Sequence, residues 1–233
     1  MDSTVTRLWH VCGSIESLQY FLALEEQERF DLVNFEALGQ HWRRFLFGRK
    51  FDSYDDAERE LLEFDTMPVP VFRIVDPAFR LDYWRKGRIY LASSRLRQAF
   101  DLTDTVIRYR DIDLDQSPSA VRAQKYQAFQ VVPFADPIDW SRTAGHWLDV
   151  ARPDGSISKR WFIVPPNPVG PPNRICWRQD FTPPAQLFRA AGTQFMLATD
   201  ALADRVMRAG ITDLMFQDLT SDLAQTELVL RQL

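Results

Sequence analysis

Two widely separated stretches of this sequence follow one plan. Gly87 to Ile112 reads GRIYLASSRLRQAFDLTDTVIRYRDI, and Gly192 to Phe216 reads GTQFMLATDALADRVMRAGITDLMF. Ile89-Tyr90-Leu91-Ala92 and Phe195-Met196-Leu197-Ala198 are short apolar runs, the pattern of a strand covered on both faces. Each run closes on cap-forming residues, Ser93-Ser94 and Thr199-Asp200, whose oxygens satisfy the free N–H groups at the start of a helix. The first helix offers Leu96, Ala99 and Phe100 on one face, with Arg95, Arg97 and Gln98 turned away. The second offers Leu202, Ala203, Val206 and Met207. Gly210 stands where a left-handed residue ends a helix, and Asp101 or Asp104 takes that role in the first copy. With one residue of gap, Thr105 to Tyr109 then aligns with Thr212 to Phe216. Duplication and independent reuse of a common motif both account for this at the level of sequence.

The rest of the chain fits the same α+β class: a mixed sheet with helices packed on it, built around the two strand–helix–strand units. Arg7–Gly13 suits a strand, and a helix opens near Ser14 with Leu18, Phe21, Leu22 and Glu25 at helical spacing. A capping arrangement at Ser53 and Asp56 introduces a second helix, with Leu61, Leu62 and Phe64 inward. Pro68 and Pro70 delay the next strand to Val71. VIRYRDIDL, YQAFQVVPF and KRWFIVPP are further strand candidates, and the end of the chain reads as a helix with Leu223, Val229 and Leu230 inward. Pro165–Asn173 holds five of the 14 prolines and forms a stiff loop inside one fold, because the 60 residues after it would make a marginal core alone. The chain of 233 residues reads as one α+β domain, in which residues 1–86 are a less defined helical and strand region and 87–233 the better defined core.

Composition narrows the function classes. Hydrophobic residues at 45%, with 17 Phe and 7 Trp, supply a packed core and argue against disorder. A net charge of −4 repels DNA and anionic lipid, so nucleic acid is not the expected partner. The basic aromatic stretch Trp42, Arg43, Arg44, Phe45, Arg49 and Lys50 is flanked by an acidic run that cancels much of its field. The start lacks the pattern of a secretory leader, and no apolar run is long enough to span a bilayer. Cys12 and Cys176 lie far apart, as two reduced thiols of a cytoplasmic protein would.

The search for chemistry finds little. His10, His41 and His146 have no second His or Cys at metal-ligand spacing, and no nucleophile elbow, phosphate loop or dinucleotide fingerprint is present. DIDLDQ, Asp111 to Gln116, is the one enzyme-like stretch: on a strand, Asp111, Asp113 and Asp115 would face one way and could hold Mg²⁺ or Mn²⁺. Calcium is excluded by Gln116 and Arg122 at the loop positions that need Gly and Glu. The expectation is therefore no catalytic residue, no metal and no cofactor.

Tyr126, Val131, Asp136, Asp139 and Ser141 form a tyrosine-led strand, an aspartate pair and a Ser. Later come Leu187-Phe188-Arg189, the run Phe195–Ala198, Thr199-Asp200, Gly210 and a last strand ending in Phe216. With ASSRLRQAF upstream, this pattern resembles a family of bacterial polymorphic-toxin immunity proteins, the eleventh class in the usual naming. It spans about Gly87 to Phe216 and departs at Asp213, where the family often has Gly.

The resemblance implies a stoichiometric inhibitor that binds a cognate toxin or secreted effector without catalysis. A carboxylate surface would suit a cationic toxin cleft. The candidate partner-binding residues are Tyr54, Asp55, Asp56 and Glu58 in the run that spans Asp52, Glu60 and Glu63, and separately Asp111, Asp113 and Asp115. Tyr54 would serve as an aromatic anchor. The alternatives are an adaptor that carries an effector without blocking it, and a metal-dependent enzyme at the three aspartates.

Overall fold

The structure, a computed structural model, describes residues 7–34, 38, 54–86, 89–143, 146–151, 157–162, 175–193 and 195–220. The basic aromatic stretch, Ser53, the proline-rich loop and the terminal helix expected from the sequence lie outside the described residues. The elements in chain order are β1 (Leu8–Gly13), α1 (Ile15–Glu26), β2 (Phe30–Leu32), α2 (Tyr54–Thr66), β3 (Phe72–Ile74), β4 (Tyr83–Lys86), β5 (Ile89–Ala92) and α3 (Ser94–Phe100). There follow β6 (Ile107–Asp111), α4 (Ser119–Arg122), β7 (Gln127–Val131), β8 (Phe134–Ala135), β9 (His146–Ala151) and β10 (Ile157–Phe162). The last are β11 (Leu187–Ala190), β12 (Met196–Thr199), α5 (Asp200–Arg208) and β13 (Leu214–Gln217).

The protein is α+β, with an antiparallel sheet in the order β4-β5-β7-β6 and a mixed sheet in the order β13-β1-β12-β11-β8, where only β8 runs parallel to its neighbour. Two small antiparallel pairs, β2-β3 and β9-β10, complete the described strands. The line at residue 87 falls inside the β4–β5 hairpin, and β1 from the N-terminal region lies inside the five-stranded sheet.

The doubled unit extends further than its sequence shows. In each half a hairpin is followed by a helix and a third strand, and a fourth strand fills the gap between the second and third: a split β-α-β arrangement. β7 fills that gap in the first half and β1 in the second. The ladders match residue for residue. Tyr83 pairs Ala92 and Trp84 pairs Leu91, as Leu187 pairs Ala198 and Phe188 pairs Leu197. Leu91 pairs Ala128 as Leu197 pairs His10. Tyr109 pairs Phe129 as Phe216 pairs Val11, which reproduces the one-residue gap read from the sequence. In these four strands the topology differs in chain order, because the filling strand follows the unit once and precedes it once; the second sheet adds β8 at its edge.

The two halves meet through their helices. α3 and α5 pack on each other over a shared core that includes Leu96, Phe100, Phe129, Leu202, Val206 and Leu214. Phe100 and Phe129 are fully buried, which is worth roughly 1.5–3 kcal/mol for each side chain. Each helix has its terminal carbonyls satisfied by an arginine of the other. Arg95 donates to Ala209 O at 2.7 Å and Gly210 O at 2.9 Å, and Arg205 donates to Ala99 O at 2.9 Å and to Phe100 O. The same arginines also bind the residue just before the first strand of their own half, Asp82 at 2.8 Å and Gln186 at 2.9 Å. Cations at a helix C-terminus offset its partial negative charge. Gly210 has φ +69°, a conformation that favours glycine, and a Cβ there would lie 3.1 Å from the Arg95 guanidinium, which would have to shift to admit it. In the first half Asp101 takes the left-handed position at φ 43°.

The far face of the four-stranded sheet carries a second core, where Phe21, Leu24, Phe64, Phe72 and Phe79 surround Trp84 and Leu91. Ser14 caps α1 as expected, accepting from Ser17 N. The buried face of α1 is Ser17, Phe21 and Leu24, whereas Leu18 and Leu22 are only half-buried, because the sheet meets the helix along a line rotated from the apolar stripe.

Candidate interaction surface

α2 is the acidic helix, and its heptad spacing decides which carboxylates reach solvent. Ala57, Glu60, Leu61, Phe64 and Met67 are buried, spaced as one helix face. Glu58, Leu62, Asp65 and Thr66 are exposed. Leu62 thus corrects the expectation that it packs inward: it lies one residue off the Ala57–Leu61–Phe64 line and is 64% exposed. The side chains of Tyr54, Asp55 and Asp56 lie outside the described residues.

Glu60 is no surface acid. Its carboxylate pairs with Arg189 on β11, and both side chains are buried. Arg189 also donates to Ala57 O at 3.4 Å and lies over the Phe134 ring. Burial pushes the guanidinium below its usual range, while Glu60 pulls it back. A buried pair of this kind gains little net stability but is costly to break, and here it joins α2 to β11 of the second half.

The second acidic run joins the same side of the molecule. Arg108 on β6 pairs with Asp65, and Arg110 donates to Phe64 O, so the C-terminal end of α2 lies along β6. β6 ends at Asp111, which accepts from Gln127 Nε2 at 2.7 Å. The three aspartates therefore do not share one strand face. Asp113 forms a parallel bridge to Val71, and its Oδ1 accepts from Asp115 N at 2.7 Å in a tight turn. Asp113 still bonds Pro70 and Phe72 through its backbone, and the turn that begins at Asp113 takes the Asp115 N–H. Asp111 and Asp115 are exposed and Asp113 is half-buried. Among the described residues no three His, Cys, Asp or Glu side chains are grouped to hold a metal ion.

The aspartates singled out in the Tyr126–Ser141 sequence pattern have structural partners. Asp136 accepts from Trp140 Nε1 at 3.2 Å and pairs with Arg178 at 2.6 Å. Asp139 accepts from the Ser141 hydroxyl at 2.5 Å and backbone N–H at 3.1 Å, and these bonds hold its carboxyl below the usual range. Asp213, at the position of departure, accepts from Ser17 Oγ at 3.0 Å and from Asp82 N at 2.6 Å. It thereby joins α1 to β4, a role a glycine could not fill.

On the far face of the five-stranded sheet His10 contacts Phe195, with ring centroids 4.8 Å apart, and its Nδ1 is enclosed without a partner among the described residues. Burial lowers its pKa to about 4, against the opposing bond to Gln217. Burial likewise raises the Cys12 thiol to about 11, which keeps it protonated and unreactive near neutral pH. Both cysteines are free.

The buried Glu60–Arg189 pair and the exposed Leu62 are the features that sequence reasoning missed. The second was legible in the period of α2; the first joins residues 129 apart in the chain and had no local signal. No family model matches this chain, and no curated protein matches it. No described helix is long and apolar enough to cross a membrane.

Proposed function

We propose that this protein is a non-catalytic inhibitor of the immunity type, which binds a cognate bacterial toxin or secreted effector directly. The observation that carries the reading is the acidic helix α2, joined to β11 by a buried ion pair and lying along the strand that leads into Asp111 and Asp115. Supporting it is the likeness of Gly87–Phe216 to the immunity pattern, together with a scaffold of two equivalent halves locked by reciprocal arginine contacts. A rigid platform lowers the ordering cost of binding. Exposed carboxylates raise the rate at which a cationic partner is captured, an effect that falls as salt rises.

The test is co-expression with the product of the adjacent upstream gene, followed by size-exclusion chromatography and a growth assay. Co-elution with restored growth supports inhibition. Co-elution without restored growth replaces it with the adaptor reading, and the lack of any complex at micromolar concentration removes both.

A further inference from the structure

The two halves place an arginine at the same point of their first strands, and only one of the two has a counter-ion within the chain. Tyr83 pairs Ala92 as Leu187 pairs Ala198, so Arg85 on β4 is the equivalent of Arg189 on β11. Arg189 has the Glu60 carboxylate. Arg85 is half-buried and makes no hydrogen bond or ion pair with the described residues. The acids that flank it are taken. Asp82, just before β4, accepts from Ser93 Oγ at 2.5 Å and from Arg95 at 2.8 Å, and Glu25 pairs with the adjacent Lys86. His10, Cys12 and Tyr83 lie within electrostatic reach of Arg85, and burial keeps all three uncharged at neutral pH. It lowers the His10 pKa to about 4, raises the Cys12 thiol to about 11 and lifts the Tyr83 phenol above its ordinary value. Tyr90 stands opposite Arg85 on β5 and stacks on Tyr83, with ring centroids 6.5 Å apart. A partly desolvated charge is costly unless an opposite charge meets it. The guanidinium fork matches a carboxylate, to which it gives two parallel N–H···O bonds.

We infer that Arg85 binds a carboxylate brought from outside the chain, at the point of the first half where Arg189 of the second half holds Glu60. The site is independent of the inhibitor reading. Arg189 and Glu60 are closed off, with side chains 8% and 7% exposed, whereas Arg85 retains solvent access. The ligand is a small free acid or an acidic side chain of a bound protein, and the two share one recognition chemistry.

The probe is acetate, added to the full chain at neutral pH and compared with chloride at equal ionic strength. The readout is the nuclear magnetic resonance of the Arg85 Nε–H and of the Tyr83 and Tyr90 backbone amides. These signals should shift along a saturating curve in millimolar acetate and stay in place in chloride. Exposed Arg122 is the control and should shift without saturating. Arg85→Lys keeps the charge but loses the fork, and should weaken the acetate response at Tyr83 and Tyr90 about tenfold. Arg85→Gln should abolish it. Unaltered thermal unfolding of each variant excludes misfolding as the cause. An Arg85 signal that responds no more strongly than Arg122, or equally to chloride, overturns the site on the wild-type protein alone. The complex captured by co-expression then separates the two sources. Acetate that loosens the wild-type complex but not the Arg85→Lys complex assigns the carboxylate to the bound protein. A complex indifferent to acetate, with the acetate shifts intact in the free chain, assigns it to a small acid.

Discussion

The first half of the molecule, β4-β5-α3-β6 with β7, and the second half, β11-β12-α5-β13 with β1, have the same strand order and the same pairing registers but different side-chain chemistry. Arg85 and Arg189 occupy equivalent positions, each one strand residue past the aromatic Trp84 or Phe188. Arg189 is buried against Glu60 and anchors α2, whereas Arg85 is half-buried. Ala128 of the filling strand β7 corresponds to His10 of β1. Ser93 corresponds to Thr199, and each donates its backbone N–H to the residue before its own hairpin, Asp82 O at 2.9 Å and Gln186 O at 3.0 Å. Backbone geometry is thus shared, while the polar side chains have been assigned separately to each half. The comparison teaches that the sheet and helices are platform, and that the difference between halves is concentrated in what they hold on their outer sides.

The largest expected effect tests the arginine pair of positions. Arg189→Ala leaves Glu60 buried and uncompensated, and should destabilise the protein by about 3–5 kcal/mol, whereas Arg85→Ala should cost less than about 1 kcal/mol. Urea unfolding of the two variants checks this. Equal losses would show that the halves are not chemically distinct at this position.

The filling strands differ next. His10 has a folded pKa of about 4, below its ordinary value of 6.5, so the unfolded chain binds the proton more readily. Its contribution to stability is complete above about pH 6.5 and is lost as pH falls through the window down to about pH 4. Over that window wild type should lose on the order of 2–3 kcal/mol more than His10→Ala, which copies Ala128 of the other half. Unfolding curves collected across the window measure the difference, and parallel pH profiles for the two proteins would contradict it.

The smallest effect concerns the caps. Ser93 Oγ accepts from Leu96 N at 3.1 Å and donates to Asp82, while Thr199 makes no side-chain cap bond and its Oγ1 is enclosed without a partner among the described residues. Ser93→Ala should therefore cost about 1–2 kcal/mol and Thr199→Ala only a few tenths. Thermal unfolding resolves the two, and a larger loss at Thr199 would mean that its hydroxyl supports the helix.

Much of this architecture was legible in advance. The apolar runs, caps and helical stripes placed β5, α3, β12 and α5, and the one-residue gap between the repeats was correct, because these depend on residues within a few positions of each other; Met207, read as part of the α5 stripe, is instead 56% exposed, and Thr199 makes no side-chain cap bond. The acidic helix α2 was found by the same means, yet its faces were partly misread: Leu62 was placed inside, and Glu60 was counted among the surface acids. Asp111, Asp113 and Asp115 were read as one strand face because alternation was assumed to continue to Asp115, whereas β6 ends at Asp111 and an Asx turn begins at Asp113.

The sequence by itself determined the class of fold, the two repeated units and the acidic character of α2, since composition, period and capping act locally. Only the tertiary structure decided that β1 would fill the gap in the second half as β7 does in the first, because strand pairing between distant segments leaves no local trace. It also decided that Arg95 and Arg205 would each close the other half's helix, and that Glu60 would be buried by Arg189 while Leu62 was left in solvent. Those outcomes depend on which surfaces meet when the halves pack, and side chains far apart in the chain share one desolvated contact only after that packing has occurred.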